Sequence, residues 1–321
     1  MKVLVTGGAG YIGSVCVEQL LNAGHQVTVF DHLEQGHRGA VDERAQFVEG
    51  SLADAQAVTA AVQRAEAIVH FAAFALVGES MTDPGKYFRN NVANGLNLLE
   101  AAVGARVRKF VFSSTCATYG PPDRVPMTED LPQRPINPYG ESKLMFEKML
   151  QWYRQIHGLE FVAFRYFNAA GASERFGEDH HPETHLIPNI LRVALGQATH
   201  FEIYGTDYPT ADGTCIRDYI HVIDLADAHA LALAPGKQGF FNLGNGDGYS
   251  VREVHHACEK VVGRKIPAIE KPRRAGDPPR LVASAEKAKT ELGWKAKFPK
   301  LDQIVAAAWD WHQRNPNGYP R

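Results

Sequence analysis

The stretch that most limits how this chain can fold lies at its start. Residues 2–14 read KVLVTGGAGYIGS: an apolar β-branched run, then Gly7-x-x-Gly10-x-x-Gly13, then the opening of a helical pattern. Glycines between a strand and a helix let the backbone turn sharply and approach a pyrophosphate, whose charge is favoured at the helix N-terminus. A glycine trio alone is weak evidence. Its context strengthens it, because a second strand pattern ends at Asp31, 18 residues past Gly13. An acid there accepts hydrogen bonds from both ribose hydroxyls and repels a 2′-phosphate. The segment predicts a dinucleotide fold that takes NAD in preference to NADP.

The rest of the first half agrees. Strand-like runs at 2–6, 26–31, 45–50, 67–73, 109–114 and 160–167 alternate with helical patterns such as 11–23, 86–103 and 139–156. Such alternation implies βαβ units and a parallel sheet covered on both faces. The fold class expected is α/β: a Rossmann-type doubly wound parallel sheet with a smaller C-terminal α/β substrate lobe. The pattern changes near residue 170, where GASERFGEDHHPETH (171–185) reads as a long polar loop. Helices are expected near 186–196, 222–234, 250–262, 284–292 and 300–314, with Ser284 as an N-cap and Ser250/Glu253 as a capping box. The division expected is 1–170, joined by 218–246, for the dinucleotide, and 171–217 with 247–321 for a second ligand.

Composition removes several function classes. A formal net charge of −2 supplies no global basic field for nucleic acid or an anionic membrane. No apolar run reaches the ~18 residues of a membrane span. The first residues read as a strand entering a loop and not as a signal peptide. Cys16, Cys116, Cys215 and Cys258 form no CxxC pair, so a disulfide framework or cysteine zinc site is not expected and a cytoplasmic setting is.

Chemistry is expected in NPYGESKLMFEK (137–148). Tyr139 and Lys143 stand four apart on a helical pattern and share a face. A cation beside a phenol favours phenolate and lowers its pKa toward a useful range. The run FSSTCATYG places Thr115 at the end of the fifth strand, where parallel sheets bind ligands. Thr115 and Tyr139 are then positioned to reach one substrate hydroxyl.

With glycine loop, strand-end hydroxyl and Tyr-x-x-x-Lys in this order, the chain resembles the extended short-chain dehydrogenase/reductase superfamily. GGAGYIGS (7–14), FAA and LVGES (71–73, 76–80), NNV (90–92), FSSTCATYG (112–120), YGESK (139–143), FRYFNAAGA (164–172), DGTCIRDYIHVIDLADAH (212–229), FNLGNG (241–246) and RRAGDPPRLVAS (273–284) resemble the UDP-glucose 4-epimerase family over essentially the whole chain. The resemblance implies Tyr139 as base, Lys143 as its supporting lysine and Thr115 as the second hydroxyl. It places Gly7, Gly10, Tyr11, Ile12, Gly13 and Asp31 on the adenosine and phosphates of NAD, and Phe71, Ala72, Ala73 and Asn90 along the rest of the cofactor. Ser51 and Leu52 follow the third strand on the adenine side. Asn168, His185, Leu186, Arg217, Arg274 and Asp277 are implied for the UDP-sugar, the arginines serving the diphosphate, which their planar forks suit. UDP-glucose and UDP-galactose are the implied partners, and a homodimer through helices 86–103 and 139–156 the implied assembly.

The chain departs from that family in two places. Gly50-Ser51 replaces a common Gly-Asp near the adenine, and Ala75 stands where some members have lysine. Among reactions of the superfamily, dehydratases and decarboxylases need acid–base groups directly after the strand-end hydroxyl. Cys116 and Ala117 stand there and cannot do that work, which leaves oxidation and re-reduction at C4 of the sugar. Non-catalytic dinucleotide binders of this fold generally lack the tyrosine or lysine, and both are present. A 4-epimerase of another UDP-sugar, carrying an N-acetyl, uronic acid or pentose group, is the alternative. Leu281 occupies the position that limits room around the C2 substituent, and is intermediate in size.

Other residues have plainer readings. His180, His181 and His185 do not match HExxH and Pro182 interrupts any helix there, so no metal is expected. His255 and His256 are packed or solvated, Cys116 is a small buried side chain, and Trp309 and Trp311 belong to packing.

Overall fold

A computed structural model describes residues 1–274 and 277–320. Seven strands form one parallel sheet: β1 (Lys2–Thr6), β2 (Gln26–Asp31), β3 (Gln46–Glu49), β4 (Ala67–His70), β5 (Lys109–Ser113), β6 (Glu160–Tyr166) and, from later in the chain, β10 (Gly239–Leu243). The spatial order is β10-β6-β5-β4-β1-β2-β3, so the order reverses between β1 and β4 and opens a crevice at their carboxyl ends. Both faces are buried because alternate side chains feed two cores. Val3 and Val5 pack with α1 (Tyr11–Asn22), while Leu4 joins Val58 of α2 (Ala55–Val62), Leu98 and Phe146 on the other side.

The helix expected at 86–103 is present as an unbroken helical run over 84–104, but it is not α-helical throughout. Short α3 (Val77–Ser80) and α4 (Pro84–Tyr87) precede a π-helical stretch over Phe88–Asn94, and only then does α5 (Gly95–Gly104) run regularly. The wide turns let Asn91 face inward: its Oδ1 accepts the Phe74 N–H at 3.0 Å, and its Nδ2 donates to Phe74 O and Ser142 Oγ at 3.0 Å each. Such stretches often mark functional positions.

Helix α6 (Pro138–His157) has both of its ends specified by sequence. Asn137 caps it by accepting the Gly140 N–H at 2.8 Å, Pro138 opens it, and Gly158 closes it at φ 72°. Beyond β7 (Asn168–Ala170) come α7 (Leu186–Ala194), β8 (Phe201–Tyr204), β9 (Ile216–His221) and α8 (Val222–Ala232). After β10 follow β11 (Gly248–Ser250), α9 (Val251–Val262), β12 (Ala268–Lys271), β13 (Arg280–Leu281) and α10 (Leu301–Arg314). Strand β9 pairs with β7, β11 and β13, and β8 pairs with β12. A separate core gathers Ile187, Ile190, Val254 and Ile304 from α7, α9 and α10.

The capping box of Ser250 and Glu253 is present, with Ser250 Oγ accepting the Glu253 N–H at 3.1 Å and Glu253 Oε2 accepting the Ser250 N–H at 2.7 Å. Ser284 does not cap a helix. Its N–H donates to Met127 O at 2.7 Å, and the helical turns start two residues later, ending in a π turn at Ala288–Leu292. Trp311 is buried and Trp309 packs at the edge of the second core, as expected of packing residues.

Candidate active site

A cleft of about 370 Å³ follows the carboxyl ends of β1, β4 and β5. Gly7 has φ +75°, and a Cβ there would lie 2.4 Å from Ala72 N; a Cβ on Gly13 would lie 2.1 Å from Gly7 O. Those two glycines are required by the protein's own packing. Gly10 is different: a Cβ there would meet only Gly7 O, at 3.4 Å, on a backbone that any residue adopts. Its bare face opens on the cleft. Gly10 is also the N-cap of α1 and offers no side chain to the first-turn amides, so the N–H groups of Tyr11, Ile12 and Gly13, residues that line the cleft, have no intrahelical partner. An anion there meets both donors and the positive end of the helix.

Asp31 lines the same cleft at the end of β2. Its Oδ2 accepts the Ala9 N–H at 3.0 Å and its Oδ1 the Leu33 N–H at 2.9 Å. The carboxylate thus ties the glycine loop to β2 and keeps lone pairs for ligand hydroxyls. A loop bare of Cβ atoms at Gly7, Gly10 and Gly13, open first-turn amides and a fixed carboxylate fit a dinucleotide, and the donor set fits NAD.

Thr115, Tyr139 and Lys143 line the far end. Lys143 is buried, donates from Nζ to Ser113 O at 2.8 Å and sits 4.9 Å above the Phe112 ring. Burial lowers its amine to about 7, opposed by the charge of Glu147 one turn on. Burial also pushes the Tyr139 phenol up to about 12, opposed by the Thr115 hydroxyl. The expected lowering of Tyr139 by Lys143 is therefore not what these residues produce by themselves. Desolvation is the largest influence, and a positive charge brought into the cleft would lower the phenol. Cys116, beside Thr115, is a protonated thiol: burial pushes it to about 12.

Of the residues expected from sequence, Gly7, Gly10, Tyr11, Ile12, Gly13, Asp31, Leu52, Phe71, Ala72, Ala73, Asn90, Thr115, Tyr139, Lys143, Asn168, His185 and Leu186 line this one cleft. Ser51 does not. Its Oγ accepts the Ala53 N–H at 3.2 Å in the turn before α2, while Gly50 and Leu52 on either side reach the cleft. Arg217, Arg274, Asp277 and Leu281 stand outside the lining. Arg217 pairs with Asp277 at 3.0 Å, and Arg274 lies 4.0 Å above the Tyr204 ring. The β9–β13 register puts Leu281 opposite Arg217, and both Leu281 and Cys116 pack against a small cluster of Tyr119, Met127, Leu131, Phe167 and Ala283.

Other groups had no motif to announce them. Arg165 and Glu147 form a buried bidentate pair behind Lys143 (Nε to Oε1 3.0 Å, Nη2 to Oε2 2.7 Å), completed by Ser114 Oγ at 2.5 Å and Gln133 Nε2 at 2.9 Å. Only the four-residue step from Lys143 to Glu147 hinted at it. The cleft lining also contains Glu178, His180 and His185. His181, their neighbour in sequence, turns away to Asp179 at 3.1 Å.

Comparison with known proteins agrees with this geometry. The NAD dependent epimerase/dehydratase family matches residues 3–244. The UDP-glucose 4-epimerase of Lacticaseibacillus casei is 53% identical, with 99% of each chain covered. A crystal structure of a UDP-glucose 4-epimerase superposes with a TM-score of 0.97 at 50% identity, covering 100% of both chains. The UDP-glucose 4-epimerase of Bifidobacterium longum, solved with NAD+ and UDP, superposes with a TM-score of 0.94 at 38% identity, covering 99% of this chain and 100% of that one. The chain belongs to the NAD dependent epimerase/dehydratase family, within its UDP-glucose 4-epimerase branch.

Proposed function

We propose that the protein interconverts UDP-glucose and UDP-galactose by oxidation and re-reduction at C4 of the sugar, with NAD retained in the cleft throughout. The observation that carries this reading is the placement of Thr115, Tyr139 and Lys143 in one cleft with the open amides of α1, while Cys116 and Ala117 offer no acid–base group for elimination. The first-turn amides of Tyr11, Ile12 and Gly13 would hold the pyrophosphate of NAD and Asp31 its ribose, and the bound cofactor would supply the reversible oxidation and a positive charge in the cleft.

Tyr139 takes the proton from the 4-hydroxyl and later returns it, and Thr115 orients that hydroxyl. Lys143, fixed on Ser113 O, keeps a positive potential beside the phenol. Arg217 and Arg274 grip the diphosphate, with Asn168, His185, Leu186 and Asp277 around the nucleotide and sugar. Residues 1–170 with 218–246 hold NAD, and 171–217 with 247–321 hold UDP-sugar. A firm hold on UDP and a loose one on the sugar let the 4-keto intermediate present either face.

The cytoplasm is the compartment proposed. Four free thiols support it, and among the described residues no helix is long and apolar enough to cross a membrane. A homodimer is supported by the apolar stripe Met145, Trp152 and Ile156 along α6, with exposed Leu96 on α5. Sedimentation of a monomer alone at working concentration would remove the dimer.

The deciding experiment follows the anomeric signals of UDP-galactose by NMR with purified protein and no added NAD. A UDP-glucose/UDP-galactose mixture is the expected result. Failure both without and with added NAD would overturn the assignment.

A further inference from the structure

Four side chains of the segment between β7 and α7 converge on one point. His185 Nδ1 lies 2.9 Å from Glu178 Oε1 and 2.9 Å from Glu183 Oε1; His180 Nδ1 lies 3.3 Å from Glu178 Oε1 and 3.8 Å from Glu183 Oε2. One donor atom from each residue falls within 4.8 Å of all the others. Four ligands around a tetrahedral Zn²⁺ at about 2.0–2.2 Å stand about 3.3–3.6 Å apart, so small rotations suffice to seat the ion. We propose that Glu178, His180, Glu183 and His185 form a structural site for one divalent transition metal, with Zn²⁺ the best fit.

Three observations separate this cluster from a chance gathering of polar groups. Both carboxylates are nearly buried, with side-chain exposures of 5% and 6%, so two negative charges share one small volume. A dication with two neutral imidazoles balances them. His180 Nδ1 is itself buried and makes no hydrogen bond, although it points between the two carboxylates. A lone pair directed at an ion accounts for that atom. Glu183 is also held in advance: its Oε1 accepts the N–H groups of Thr184 at 2.8 Å and His185 at 2.7 Å. Such outer contacts orient a ligating carboxylate.

The linear order Glu-x-His-x-x-Glu-x-His in a loop matches no helical zinc motif, which is why spacing argued against a metal. All four ligands come from eight consecutive residues, so an ion there would fix this wall of the cleft. The same wall touches the dinucleotide end: Tyr11 donates from its hydroxyl to Gly171 O at 2.6 Å, and its ring meets His180 edge-on.

The test strips purified full-length protein with a chelator and titrates it with Zn²⁺ and with Co²⁺. One Zn²⁺ per chain is expected, with the strong visible bands of four-coordinate Co²⁺. Zinc X-ray absorption on the wild type should report two imidazoles and only nitrogen and oxygen donors. Glu183→Gln keeps acceptors for the Thr184 and His185 amides, and should weaken Zn²⁺ on the order of 100-fold or more. Its thermal midpoint should cease to rise with added Zn²⁺. Wild type that binds no more Zn²⁺ than Glu183→Gln, or Co²⁺ lacking the four-coordinate spectrum, would show two imidazolium–carboxylate pairs instead and overturn the site. The absorption experiment needs no variant, so a poorly folding mutant does not leave the question open.

Discussion

Lys143 Nζ and Ser113 O are joined by a 2.8 Å hydrogen bond that crosses from the second turn of α6 to the end of β5. The bond fixes the amine beside Thr115, in a pocket floored by Phe112. Lys143→Met should lower kcat about 10²–10³-fold, and Tyr139→Phe at least as much, because each removes part of the proton transfer. Lys143→Arg should not restore activity, since the planar guanidinium is larger than the enclosed ammonium. Restoration by arginine to near wild-type kcat would refute this account of Lys143.

The glycine loop separates two kinds of requirement. Gly13→Ala drives a Cβ to 2.1 Å from Gly7 O and should unfold or strongly destabilise the N-terminal segment. Gly10→Ala meets the protein only at 3.4 Å, so its thermal midpoint should stay within a few degrees of wild type. Its added methyl fills the face on which a pyrophosphate approaches, so NAD retained through gel filtration should fall at least tenfold. Equal retention by Gly10→Ala would show that the dinucleotide does not lie against this loop.

How legible these features were depended on how local they are. The glycine loop, Asp31 and the capping box of Ser250 and Glu253 are set by residues within one turn or one strand end, and the sequence displays them. Tyr139 and Lys143 are legible because a four-residue step guarantees one helical face. The Arg165–Glu147 pair joins β6 to α6, and neither residue has a partner nearby in sequence. Ser51 shows the opposite difficulty. Its position in the chain points to the cleft, but a local hydrogen bond to Ala53 takes its hydroxyl elsewhere. The π-helical run at 88–94 is hidden because a wide turn has the same apolar composition as an α turn.

Breaking the buried pair should affect both stability and catalysis. Glu147→Gln leaves the Arg165 guanidinium buried without its counter-charge, which costs about 3–5 kcal/mol. Glu147 also raises the Lys143 pKa, so its loss lowers that value further below about 7. The amine then loses its proton at lower pH, and the alkaline limb of the pH–rate profile should move to lower pH. Urea unfolding and the profile together check this, and an unmoved limb would separate Glu147 from Lys143.

Three buried histidines make the fold acid-labile. Burial lowers His70 to about 3, with the Lys143 charge adding to it, and lowers His221 and His229 to about 4. In the unfolded chain each imidazole titrates near 6.5. Between those values the unfolded state binds more protons, so stability falls as pH drops from 6.5 toward 4. Each group contributes up to about 1.4 kcal/mol per pH unit, or about 4 kcal/mol per unit for three. His229→Leu removes one of them together with its unpaired buried Nε2, and should flatten the slope of unfolding free energy between pH 6.5 and 5. Parallel slopes for variant and wild type would show that His229 does not titrate between the two states.

Substrate breadth should be set where β13 meets β9. Leu281 stands opposite Arg217 in that register and packs against the same small apolar cluster as Cys116, the residue after Thr115. A leucine leaves more room than tyrosine, so UDP-N-acetylglucosamine should be turned over as a secondary substrate, more slowly than UDP-glucose. Leu281→Tyr adds a ring and a hydroxyl at this point, and should lower kcat/KM for the N-acetyl sugar at least tenfold, with less than a threefold effect on UDP-glucose. One methylene-scale misfit is worth about 1–3 kcal/mol, and an aromatic ring exceeds that volume. Competition between the two sugars, followed by NMR in one tube, gives the ratio directly. An unchanged ratio in Leu281→Tyr would place the limit on the C2 substituent elsewhere in the cleft.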